Sequence, residues 1–226
     1  MKRLFITGTD TEIGKTVVAT GLVRAAVQAG FRTVGLKPVA AGCETIDGAL
    51  VNDDARQLML ASNVELDYAT VNPIALEPAI APHIAAEKAN IAINSRVLKI
   101  HYERSLPEEV EIAIIEGAGG WFVPLNEYET FQDLALGLNL EVVLVVGMKL
   151  GCINHALLSV QAIKTAGLTL AGWIANFPQP EMAVAEENLG TLMRRIDAPL
   201  LGIVPHLASP AADEVAKHLN IKALLT

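Results

Sequence analysis

Residues 8–16 read GTDTEIGKT. A short apolar run, Leu4-Phe5-Ile6, precedes them. A helical pattern over 15–29 follows, with Val18, Leu22 and Ala25 or Ala26 on one face and Gly30 as its stop. Strand, glycine-bracketed loop and helix in that order form an anion cradle. The glycines let successive N–H groups turn inward, and the helix N-terminus adds partial positive charge. Lys15 is placed to reach the β- and γ-phosphates, and the Thr16 hydroxyl to ligate Mg²⁺. The usual loop has four residues between its glycines, and this one has five. The longer loop can carry Asp10, Thr11 and Glu12 toward a second ligand beside the γ-phosphate.

Further apolar runs recur at 33–38, 111–116, 142–147, 170–176 and 200–205, each closed by Gly, Pro, Asn or a single carboxylate. Runs without polar alternation suit strands buried on both faces of a parallel sheet. Helical patterns at 54–61, 130–138, 154–166 and 182–196 lie between them. Alternation of this kind predicts a doubly wound, mostly parallel α/β sheet flanked by helices. Residues 64–107 break the rhythm with a proline-rich stretch and a helical pattern over 95–105. They read as an insertion within one domain spanning 1–226.

The chain of 226 residues is 52% hydrophobic, enough for one large core. A formal net charge of −8 and 4% aromatics argue against nucleic-acid binding. Two cysteines far apart fit a reduced compartment, and no CxxC or HExxH spacing suggests zinc. The apolar run near Met1 is too short for a signal peptide, and no run approaches membrane-spanning length. The expectation is a cytoplasmic protein without membrane or nucleic-acid partners.

Several stretches raise chemistry on their own terms. Glu116 follows an apolar run, where an unpaired carboxylate is costly to bury and Mg²⁺ is a natural partner. Gly117, Ala118, Gly119 and Gly120 permit close backbone approach to a ligand, or make a simple turn. Lys37, by spacing alone, is more often a solvated charge at a strand end. Asn176 is either a base contact or a turn residue. Phe177 and Pro178 after it depart from the Asn-Lys-x-Asp run that reads guanine. No GxSxG elbow supports a serine hydrolase.

GTDTEIGKT, KPVAAG (37–42), NDDA (52–55), VNP (71–73), EGAGGWFVPL (116–125), VVLVVGMKLGCINHALL (142–158), LAGWIAN (170–176) and DAPLLG (197–202) occur in one order over most of the chain. Together they resemble the dethiobiotin synthetases. That resemblance implies an ATP- and Mg²⁺-dependent cyclo-ligase acting on 7,8-diaminononanoate and CO₂, and a homodimer. It implies catalytic roles for Lys15 and Lys37, and Thr16, Asp54 and Glu116 as metal ligands. Asp53, beside Asp54, reads as a helix cap or surface residue. Nucleotide contacts are implied at Glu12, Ile13, Gly14, Lys15, Thr16, Val17, Asp54, Glu116 to Gly119, Asn176, Pro205, His206 and Leu207. Substrate contacts are implied at Thr11, Lys37, Ala41, Gly120, Leu150, Gly151, Cys152, Ile153 and Asn154, the last five at a helix start near Asn154. The chain departs from the family at Ala41, where serine is common, and at Asn188, where some members carry tyrosine. Two rival readings share the phosphate loop: another carboxylate- or amide-activating ligase, and a nucleotide-dependent switch or partitioning ATPase.

Overall fold

The computed structural model describes residues 1–224. Six parallel strands form the main sheet: β1 (Lys2–Gly8), β2 (Thr33–Leu36), β7 (Ile112–Gly120), β8 (Glu141–Gly147), β9 (Leu170–Asn176) and β10 (Leu200–Val204). Their order is β10-β9-β8-β1-β7-β2. The expected doubly wound α/β fold is present, with the phosphate-loop strand β1 at its centre. The apolar runs are strands because both faces are covered. Leu4 and Ile6 pack into one cluster with helix α1 (Lys15–Gln28). Phe5 packs into the other, with Trp121, Phe131 and Leu144.

Between β2 and β7 lie β3 (Val39–Ala41), β4 (Glu44–Ile46), β5 (Ala49–Val51), α2 (Asp53–Ala61), α3 (Tyr68–Val71), β6 (Ile74–Leu76), α4 (Pro82–Ala89) and α5 (Ser95–Ser105). Strands β3 and β6 pair in parallel, and β4 and β5 form an exposed antiparallel hairpin. The remaining helices are α6 (Phe131–Gly137), α7 (Cys152–Thr165), α8 (Ala185–Arg195) and α9 (Ala212–Ala216). Val64, Val71, Leu76, Ile93, Leu98 and Tyr102 of the 64–107 segment share the cluster that covers Phe5.

Three of the boundaries that differ from expectation do so for a clear local reason. Strand β7 does not stop at Glu116 but runs to Gly120, with a register shift against β1. Ile6 pairs with Glu116 and Gly8 with Gly120, so three β7 residues bulge opposite Thr7. Helix α2 is capped by Asn52, whose side chain accepts from the Ala55 N–H, so Asp53 is not the cap. Helix α7 begins at Cys152 rather than Asn154, because Gly151 takes a left-handed φ of 94° at the N-cap.

Candidate active site

Each parallel strand delivers its carboxyl end to the same edge of the sheet, where ligands bind in folds of this kind. At the end of β1 the loop turns through two left-handed residues, Glu12 (φ 58°) and Gly14 (φ 79°). Side chains rarely adopt such angles, and the strain collects at functional turns. Gly14 is also pressed for space: a Cβ there would lie 2.4 Å from Asn176 Nδ2. The Gly14 carbonyl then accepts from the Val18 N–H at 3.0 Å and starts α1.

Lys15 is 7% exposed and its Nζ donates to the Asp10 carbonyl at 2.7 Å. Burial pulls its pKa down to about 8, and the nearby Lys37 ammonium adds to that, despite the opposing pull of Glu116. Lys37, at the end of β2, is 4% exposed. Its Nζ lies 2.6 Å from Glu116 Oε1 and 3.0 Å from Asp54 Oδ2. Burial opposes its charge, but the two carboxylates outweigh burial and raise its pKa. For Asp54, burial favours the neutral form, and the Lys37 ammonium overcomes it and holds the carboxyl below its ordinary value. The spacing-based expectation of a solvated lysine at position 37 is therefore overturned.

The Thr16 hydroxyl donates to Glu116 Oε1 at 2.8 Å. Glu116 Oε2 is buried with no hydrogen-bond partner among the described residues. A buried carboxylate oxygen left in that state carries a large desolvation penalty and fits a cation. No cluster of three or more His, Cys, Asp or Glu able to hold a metal occurs among the described residues. Thr16, Asp54 and Glu116 instead offer a sparse set of hard oxygen donors, which suits Mg²⁺ better than zinc.

These groups open into one cavity of about 710 Å³. Thr11, Glu12, Gly14, Lys15, Thr16, Lys37, Ala41, Asp54, Glu116, Ala118 and Gly119 line it, as does the inserted segment through Ala79, Ile80, Ala81 and Pro82. Those four residues were not anticipated; only the proline-rich composition of the stretch hinted at an ordered turn there. A second cavity of about 180 Å³ shares Glu12 and Gly14 with the first. Val17, Asn176, Pro205, His206 and Leu207 line it, so residues from the ends of β9 and β10 meet the phosphate loop. Asn176 Nδ2 donates to the Ile13 carbonyl at 2.6 Å, tying that second cavity to the loop.

Other expected residues lie elsewhere. Ile13 is buried against Gly147. Gly117 is constrained by packing, since a Cβ would lie 2.8 Å from the Phe5 ring, and Gly120 pairs with Gly8 in the sheet. Leu150, Gly151, Cys152, Ile153 and Asn154 do not line the large cavity. Leu150 is 98% exposed and Cys152 is buried. That segment is nevertheless joined to the phosphate loop by the Lys149–Asp10 ion pair at 2.7 Å. Among the described residues the Asn188 side chain bonds only to the Val184 carbonyl, at the start of its own helix.

The fold has relatives of distant sequence. In the MinC:MinD cell division protein complex of Aquifex aeolicus, one chain superimposes with a TM-score of 0.58 at 14% identity, covering 100% of this chain and 95% of that one. That likeness concerns the fold alone. The family model described as an AAA domain matches residues 2–213. An ATP-dependent dethiobiotin synthetase of Cellvibrio japonicus is 52% identical over 99% of this chain and 98% of its own. One from Pseudomonas paraeruginosa is 50% identical with the same coverage. One from Escherichia coli O157:H7 is 48% identical over 99% of both chains. Likeness of that extent, over nearly the whole of the chain, places it in the ATP-dependent dethiobiotin synthetase family.

Proposed function

We propose that this chain closes the ureido ring of dethiobiotin from 7,8-diaminononanoate and CO₂, converting ATP to ADP and phosphate. The observation that carries the reading is one cavity at the phosphate loop lined by two lysines, Lys15 and Lys37, and two carboxylates, Asp54 and Glu116, with Lys37 paired to both carboxylates. Such a site gathers phosphate-binding groups and compensating charge in one cavity. It holds anions in line and neutralises their charge, which is what phosphoryl transfer demands.

In this reading one amino group of the diamine takes up CO₂ as a carbamate. The carbamate oxygen attacks the γ-phosphorus of ATP, ADP leaves, and a carbamic-phosphoric anhydride results. The second amine then attacks the anhydride carbonyl, and phosphate departs as the ring closes. Lys15 and the loop N–H groups hold the phosphates. Lys37 faces the carbamate and the transferring group, where a fixed ammonium offsets the repulsion between two anions. Thr16, Asp54 and Glu116 would hold Mg²⁺, which when bound offsets phosphate charge. Thr11 and Ala41 border the acceptor, Ala118 and Gly119 the nucleotide phosphates, and Asn176 with Pro205 to Leu207 borders the base. The N-terminus of α7, at Gly151 to Asn154, is suited to the diamine's carboxylate tail.

The whole chain, insertion included, is read as one working unit. Leu150 and Leu158, 98% and 62% exposed beside that helix start, support a homodimer formed through this face. No helix of the described residues is long and apolar enough to cross a membrane. Both cysteines are free, which accords with a cytoplasmic setting. The test is ADP release measured with and without diaminononanoate and bicarbonate, with the mass of the product determined. A ligase stays nearly idle until its acceptor arrives; steady ATP hydrolysis without acceptor, and no ring-closed product with it, would contradict the reading.

A further inference from the structure

Strand β2 is the edge of the main sheet, and Lys37 stands just beyond its end, before Pro38. Pro38 has no N–H, and it restricts Lys37 to extended backbone. The backbone of Lys37 therefore needs partners from outside the sheet. The inserted segment supplies them. The Lys37 N–H donates to the Val71 carbonyl at 2.9 Å. Asn72 Nδ2 donates to the Lys37 carbonyl at 2.7 Å and to the Ile74 carbonyl at 3.1 Å.

Asn72 is itself held. Its Oδ1 accepts from the Tyr68 hydroxyl at 2.9 Å, and the same hydroxyl oxygen accepts from the Asn52 N–H at 2.7 Å. Asn52 caps the helix that carries Asp54, and its Nδ2 reaches the Ala41 carbonyl at 3.5 Å. Asn52 and Asn72 are both buried, and none of Asn52, Tyr68 and Asn72 lines the large cavity. One phenolic oxygen thus joins the backbone that carries Lys37 to the helix start that carries Asp54.

We propose that Tyr68, with Asn72 and Asn52, is a positioning relay that fixes Lys37 and Asp54 relative to each other for phosphoryl transfer. The inference rests on the ligase reading of the site. It also gives the 64–107 segment a task, since that segment completes the backbone bonding of Lys37. Tyr68 touches no reacting atom; its effect passes through the two asparagines. Misplacement of a reacting group by about 1 Å can cost roughly 10²-fold in rate.

Tyr68→Phe keeps the ring and removes the oxygen that bridges Asn52 and Asn72. The relay predicts that kcat for ring closure falls roughly tenfold or more. ATP affinity without diamine should stay within about twofold, because among the described residues no side-chain hydrogen bond joins Asn52, Tyr68 or Asn72 to the phosphate loop. Amide hydrogen exchange at Lys37 and Asn52 should quicken selectively, while β1 amides keep their protection. Glu129→Gln, a change at a hydrogen-bond junction outside the site, serves as the stability control and should keep the parent kcat. A Tyr68→Phe protein with the parent kcat overturns the proposal. So does a kcat loss matched by the control at equal loss of melting temperature, or unchanged exchange at both amides. If the parent protein itself makes no ring-closed product, the ligase reading fails instead, and the exchange measurement alone still decides whether the relay exists.

Discussion

Lys37 Nζ and Glu116 Oε1 lie 2.6 Å apart, with their side chains 5% and 1% exposed. Asp54 Oδ2 is 3.0 Å from the same ammonium. With Lys15 beside them, two positive and two negative groups balance in one poorly solvated place. Breaking a buried pair by removing one partner typically costs about 3–5 kcal/mol, which bears on Lys37 and Glu116; the Asp54 side chain is 39% exposed and counts for less. Two of the four groups are also the carboxylates proposed to hold Mg²⁺, and Glu116 bonds Lys37 through Oε1 while its Oε2 is left without a partner among the described residues.

Thr16 tests the metal side of that arrangement. Its hydroxyl donates to Glu116 Oε1 at 2.8 Å, and valine copies its shape without the oxygen. Thr16→Val should raise the Mg²⁺ concentration for half-maximal turnover by about 10-fold or more. Melting temperature checks that the chain is folded. An unchanged Mg²⁺ requirement in a folded variant would remove Thr16 from the site.

Ala41 tests the acceptor side. It lines the large cavity at the end of β3, a position where the family resemblance leads one to expect serine. Ala41→Ser should tighten diamine binding by about 1 kcal/mol, the worth of one hydrogen bond, and leave the KM for ATP alone. A shift confined to ATP would show that this segment faces the nucleotide instead.

Much of the fold was legible because buried parallel strands leave unbroken apolar runs, and all six strands of the main sheet came from such runs. The continuation of β7 through Gly120 was not legible, since four residues without large side chains read as a turn until β1 is seen beside them. The β4–β5 hairpin was not legible either, since its two three-residue strands, ETI and ALV, are too short to give a periodic signal. At the site, the phosphate loop declares itself by spacing. Lys37 does not: its burial depends on Asp54 and Glu116, which are distant in sequence. The parts played by Tyr68, Asn72 and residues 79–82 depend on tertiary contacts that no local pattern encodes.

Glu129 offers a test by pH, away from the site. Its carboxylate accepts from the Ser95 N–H and hydroxyl and from Asn126 Nδ2, joining α5 to the loop before α6. Burial favours the neutral acid, but those hydrogen bonds outweigh it and lower the pKa from the ordinary 4.5. A depressed carboxyl contributes stability above its unfolded pKa, and loses it as pH falls through the folded value. Glu129→Gln sets an amide donor against donors and should cost about 1 kcal/mol at pH 7. The gap in melting temperature between parent and variant should shrink as pH drops below 4.5. A gap independent of pH would mean that the charge contributes nothing.

The account turns on Lys37, whose charge is assigned to the carbamate and the transferring phosphate while Lys15 holds resting ATP. Lys37→Gln retains polarity and much of the length without the charge. The deciding measurement is paired: nucleotide affinity without diamine, and ring-closed product per unit time at saturating substrates, on protein whose folding is checked by its melting curve. The account predicts a kcat lower by roughly 10²- to 10³-fold with far less change in ATP affinity. A folded Lys37→Gln protein that forms dethiobiotin at the parent rate, or whose only loss is in ATP binding, would contradict it.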